Sequence, residues 1–95
     1  MVRAYIMTSM HPGTSSEALE EIKKINNIEK ISVVTGDYDI VVKVNVKNLE
    51  HLHKLTNQLQ TVDGVEKTMT NVIEKEFIPS LIKDANTINL ENSRK

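Results

Sequence analysis

The chain of 95 residues contains no cysteine and no tryptophan, a single phenylalanine, two tyrosines, two prolines and three glycines. Without cysteine there is no disulfide framework, no thiolate nucleophile and no cysteine-based zinc site. With so few aromatic rings there is little from which to build a deep apolar pocket, the setting in which carboxylates acquire shifted pKa values. Neither charge sign dominates: 12 Lys and Arg stand against 13 Asp and Glu, for a formal charge of −1 with the signs mixed along the chain. This argues against direct nucleic-acid binding, which rests on concentrated positive charge. No apolar run approaches the roughly 20 residues that span a bilayer, and the start has no run of signal-peptide length, so a soluble cytoplasmic chain is expected. Glycine-rich phosphate loops, GxSxG turns and HExxH helices are also missing. Of the histidines, His51 and His53 stand two apart on a predicted helix and point to different sides, and His11 is distant. Neither a metal nor another cofactor is predicted.

What is present is a regular hydrophobic pattern, carried by the 39% of residues that are apolar. A chain of this length supports one core and leaves much surface exposed, which makes self-association the default expectation. Alternation over residues 2–9 predicts a strand that Pro12-Gly13 ends. Thr14, Ser15 or Ser16 is expected to cap a helix over 15–25, with Ala18, Ile22 and Ile25 on its apolar stripe. β-Branched residues over 28–35 and alternation over 38–46 predict two strands joined as a hairpin through Gly36-Asp37. Asn48 opens a second helix with Leu49, Leu52, Leu55 and Leu59 on one stripe, which Asp63-Gly64 ends. A last strand is expected over 65–77, with Met69, Asn71, Ile73, Lys75 and Phe77 on one face and Thr68, Thr70 and Val72 on the other.

The order strand, helix, strand, strand, helix, strand predicts an α+β, ferredoxin-like βαββαβ domain over residues 2–78. Both helices then lie on one face of a four-stranded antiparallel sheet. The other face would carry Tyr5, Met7, Val41 and Ile73 beside Arg3, Lys43 and Asn45, and such a mixed face packs most simply on a second copy of itself. For residues 79–95 two readings stand open, an extra C-terminal docking helix built on Leu81, Ile82, Ala85 and Ile88, or a disordered tail.

The densest cluster of chemistry is Val34-Thr35-Gly36-Asp37-Tyr38-Asp39-Ile40. In its bland reading these are ordinary turn formers. In its functional reading, backbone N–H groups around Gly36 hold a carboxylate while Asp37 or Asp39 pairs with an ammonium group, which together describe a free amino acid. Thr68 and Thr70 would add hydroxyls to the same pocket.

The succession HPG after the first strand, VTGDYDIVVKV across the hairpin and DGVEKTMTNVI into the last strand closely resembles the effector domain of the leucine-responsive regulatory protein and AsnC family. That domain is also called the regulation-of-amino-acid-metabolism (RAM) domain. The resemblance covers residues 2–77. Family members usually carry an N-terminal helix-turn-helix, and here the chain starts at the first effector strand, so a stand-alone version is expected. The resemblance implies homodimers of the dimeric α+β barrel type, often assembled into octamers, with amino acids bound between subunits. It assigns the ligand to Thr35, Gly36, Asp37, Tyr38, Asp39, Thr68 and Thr70, with most weight on Gly36 and Asp39. The usual proline before the glycine that closes the second helix is replaced, in Val62-Asp63-Gly64, by residues a turn absorbs. A non-enzymatic regulatory module follows, acting on its own assembly or on full-length family regulators. A ligand-free scaffold and a dimeric α+β barrel enzyme are the competing readings.

Overall fold

The computed structural model describes residues 1–82. The elements run β1 (Val2–Met10), α1 (Ser15–Ile22), β2 (Ile28–Val33), β3 (Ile40–Val46), α2 (Leu49–Gln60), β4 (Val65–Val72) and α3 (Pro79–Ile82). The strands form one four-stranded sheet of order β2-β3-β1-β4 with every neighbouring pair antiparallel, which is the expected ferredoxin-like βαββαβ topology.

Period-two alternation explains which side the helices occupy. Ala4, Ile6 and Thr8 of β1 lie opposite Val44, Val42 and Ile40 of β3, and all six are buried. Ala18 and Ile22 of α1 and Leu52, Leu55 and Leu59 of α2 join them in one core cluster. Thr8 keeps its hydroxyl satisfied there by donating to the Ile40 carbonyl at 3.1 Å. The alternate residues, among them Arg3, Tyr5, Met7, Val41, Lys43 and Asn45, face away from both helices.

Several boundaries differ from expectation, each for an identifiable reason. Helix α1 ends at Ile22 because the N–H groups of Lys24 and Ile25 bond to Glu21 and Ile22, a tightening into three-residue turns. Asn27, at φ +72°, then turns the chain into β2, while Ile25 remains in the core. No side chain caps α1: the Thr14 hydroxyl donates to the His11 carbonyl at 2.6 Å instead. Asn48 does cap α2, accepting from the His51 N–H at 2.9 Å. The buried stripe of α2 starts at Leu52, since Leu49 stays 63% exposed, and the helix ends at Gln60 as the chain tightens again at Thr61 and Val62. Gly64, at φ +96°, sits where a Cβ would stand 2.5 Å from Thr14 Oγ1, so this junction of two turns requires glycine.

Strands β2 and β3 stop at Val33 and start at Ile40, each two residues short of the predicted hairpin ends, because Asp39 is committed to β1. Strand β4 stops at Val72, well before residue 77. The Ile73 N–H still bonds to the Arg3 carbonyl at 2.8 Å, and the chain then turns to carry Glu76 onto the uncovered face. Pro79–Ile82 is a single helical turn, and the remainder of the tail, for which a docking helix or disorder was expected, lies outside the described residues. No helix among the described residues is long and apolar enough to cross a membrane.

Candidate functional site

Asp39 organises the loop between β2 and β3. Its N–H donates to the Thr8 carbonyl at 2.9 Å and its carbonyl accepts from the Val34 N–H at 2.9 Å. Its Oδ2 accepts from the Met10 N–H at 2.7 Å. The last bond falls where the β1–β4 register shifts between Ser9 and Met10, and such a bulge leaves one strand N–H without its ladder partner. The Asp39 carboxylate therefore completes the end of β1, and the loop is tied to a central strand at both its backbone and its side chain.

Between Val34 and Asp39 the chain makes a loop of four residues, Thr35 to Tyr38. Gly36 sits at φ +142°, a conformation that favours glycine, with open space where a Cβ would project. Thr35, Gly36 and Asp37 are exposed, and among the described residues none of the four loop N–H groups has a hydrogen-bond partner. Tyr38 is half-buried and its hydroxyl reaches Met69 Sδ at 3.5 Å. The loop is thus anchored at its ends and free at its tip, which leaves donors and one carboxylate available to a ligand with both charges.

The two threonines predicted to join this pocket do not meet it within one chain. Thr68 and Thr70 lie opposite Thr8 and Ile6, and so on the helix side of the sheet. Thr68 accepts from Gln60 Nε2 at 3.0 Å. Thr70 Oγ1 lies 3.4 Å from Thr56 Oγ1, whose single hydrogen goes to the Leu52 carbonyl at 3.0 Å, so Thr70 is the donor of the pair. Both hydroxyls help seat α2 on β4.

A second cluster, to which sequence reasoning gave no role, lies on the uncovered face. Glu76 Oε2 accepts from Lys43 Nζ at 2.7 Å and from the Tyr5 hydroxyl at 3.2 Å, and Oε1 lies 3.5 Å from Arg3 Nη1. Lys43 also stands 5.8 Å from the centroid of the Tyr5 ring. The hydrogen bond from Lys43 holds the Glu76 carboxyl below its ordinary range, and the same bond holds the Lys43 ammonium above its own. The one local sign was Arg3, Tyr5 and Lys43 sharing a face; nothing near Glu76 in sequence marks it as their partner. Asn45, beside them on β3, has a buried Oδ1 without a partner.

A cavity of about 490 Å³ opens between α1 and the end of α2 beside Glu17, Glu21, Lys24, Ile25, Val62 and Asp63. None of residues 35–39, 68 or 70 lines it. Its lining is mixed in charge, with Lys24 paired to Glu21 at 3.5 Å, and it lies apart from the loop. Between sheet and helices the buried side chains are apolar except for Thr8, and among the described residues no titratable group is buried there.

Comparison with known proteins places these features in context. A family model described as the Lrp/AsnC ligand binding domain matches residues 3–81. The HTH-type transcriptional regulator FL11 of Pyrococcus furiosus is 34% identical over 74 residues, which cover 78% of this chain and 49% of FL11. The chain therefore spans about half the length of that relative. Among solved structures, TTHA0845 from Thermus thermophilus superimposes with a TM-score of 0.76 at 25% identity, covering 82% of this chain and 99% of that one. AsnC of E. coli gives a TM-score of 0.75 at 25% identity, covering 81% of this chain and 53% of AsnC.

Proposed function

The chain belongs to the Lrp/AsnC ligand-binding domain family, and from that premise we propose that it is a cytoplasmic module that binds a free amino acid. In this reading the ligand sits where copies of the chain meet, at a surface built around residues 35–39. Occupancy shifts the balance between assemblies, as any ligand with unequal affinity for two states must. Homodimers form through the uncovered sheet face and associate further, to octamers in the fullest form, and full-length family regulators are the fitting protein partners.

The observation that carries this reading is the loop itself. Asp39 fixes its ends with three hydrogen bonds while Thr35, Gly36 and Asp37 offer unused polar groups to solvent. Anchored ends reduce the entropy lost on binding, and a carboxylate set beside free N–H groups complements a zwitterion. Thr68 and Thr70 enter the reading as supports of β4, with any contact to ligand made across a subunit boundary. A catalytic role has no comparable support, since the relative is a transcriptional regulator and the described buried layer holds no titratable group.

The test is a thermal-shift screen of the twenty amino acids on wild type and on Asp37→Ala. Saturation at about 100-fold over Kd contributes about 2.7 kcal/mol, which in a domain of this size raises Tm by about 10 °C or more. Selective stabilisation in wild type, diminished in Asp37→Ala, is the expected result. A flat screen from a folded, associated protein would contradict the reading and favour the ligand-free scaffold. Asp39→Ala is the wrong probe, because it strands the Met10 N–H and costs about 1–3 kcal/mol with or without ligand.

A further inference from the structure

The segment after β4 ends in a contact that a single chain leaves incomplete. Glu76 gathers three donors from two strands, Arg3 and Tyr5 of β1 and Lys43 of β3. Its immediate neighbours behave differently: Phe77 is 68% exposed and Ile78 57% exposed, directly beside a carboxylate that three side chains coordinate. On the same face Met69 is 47% and Tyr5 39% exposed. A polar anchor flanked by unburied apolar side chains, on an arm and on the sheet it touches, is the pattern of a contact meant to bury more than it does here.

The covalent geometry allows the missing surface to come from a second copy. The last ladder bond of the chain is from Ile73 N–H to Arg3 carbonyl, and Glu76 follows three residues later. Three extended residues span about 10 Å, and two sheets packed face to face are separated by about 10 Å. An arm that folds back onto its own sheet thus also reaches the sheet of a facing copy. Exchange of an identical element between protomers keeps every native contact and adds those of the flanking residues, so it is a low-cost route to association.

We infer that residues 74–78 form an exchanged latch: in the assembled protein, Glu76 of each copy docks on Arg3, Tyr5 and Lys43 of the other. This rests on the face-to-face association proposed above. Exchange gives the charged pair a role on a mixed face that also carries tyrosine, methionine and valine. The donors and the carboxylate are complementary, and their charges set the register in which two copies meet. Phe77 and Ile78 then pack against the partner's uncovered face.

Charge-swapped variants separate exchange from a latch closed within one chain. Lys43→Glu places two carboxylates at the latch and Glu76→Lys two ammonium groups, so either variant alone associates more weakly than wild type under both arrangements. Mixed together, they restore the pairing of opposite charges across the interface only if the arms exchange. Native mass spectrometry of the mixture, with one variant mass-tagged, is expected to show heterodimers rising from the random share of about one half to above about nine-tenths of all dimers. A share at the random level, with the double variant Lys43→Glu/Glu76→Lys restoring wild-type association by itself, overturns exchange and leaves the latch intramolecular. A wild type that dimerises while the mixture pairs at random defeats the latch alone. A wild type that stays monomeric in the same instrument defeats the association beneath it as well.

Discussion

The two faces of the sheet are made by the same strands and have opposite fates. On one, Ala4, Ile6, Ile40, Val42, Val44 and Val46 are at most 2% exposed beneath two helices. On the other, one residue along in each strand, Arg3 and Tyr5 are exposed and Met7, Val41, Lys43 and Asn45 are only half-buried. The first face is closed by the apolar stripes of α1 and α2, which join it in one core cluster. The second offers apolar area, an orphaned Asn45 oxygen and a carboxylate drawn from beyond the end of β4. A face that is satisfied in charge and unsatisfied in area is what the proposed self-association would bury, whereas one left to water would keep charges and drop the tyrosine and methionines.

The sharpest way to break this comparison is to delete volume from each side. Leu59→Ala, which empties a site with no exposure, is expected to cost about 2–5 kcal/mol in denaturant unfolding. Met69→Ala, on the uncovered face, is expected to cost less than about 1 kcal/mol at low protein concentration and to weaken association at high concentration. Equal costs at both sites and at both concentrations would show that the two faces do not differ as described.

A smaller effect concerns the latch charges. Glu76 has its carboxyl lowered, so its stabilising contribution is complete above the ordinary carboxylate range and is lost as pH falls through the depressed value. Lys43 has its ammonium raised, so its contribution is complete below the ordinary lysine range and is lost as pH rises through the raised value. Arg3, Tyr5 and Glu29 are the other groups that act on this pair. Stability profiles of wild type and Glu76→Gln should therefore run parallel across neutral pH and converge toward both extremes. Profiles parallel throughout would show that the pair contributes nothing that titrates.

The same contrast accounts for how much was legible in the sequence. The closed face follows from local periodicity, so the fold, the order of elements and nearly all core residues could be read from alternation in strands and the three-to-four spacing in helices. Helix ends shifted where the chain tightened locally, and strand ends shifted where a distant partner intervened. The hairpin opened because Asp39 bonds to Thr8 and Met10, and β4 ended early because Glu76 bonds to Lys43, Tyr5 and Arg3. The motif 35–39 was visible in sequence, but its division into a structural Asp39 and an available Asp37 was not, because the two differ only in what the fold brings near them. Thr68 and Thr70 were placed correctly on one side of β4; which side α2 would occupy decided what their hydroxyls met.

In the proposed assembly the uncovered sheet face is completed by another copy of this chain. Sedimentation velocity of the wild type across a wide range of concentration, near neutral pH and moderate salt, tests it most directly. The expected result is a species of at least twice the 10.8 kDa chain mass, populated increasingly with concentration and reduced by Met69→Asp on that face. A single species at the chain mass throughout the range would contradict it.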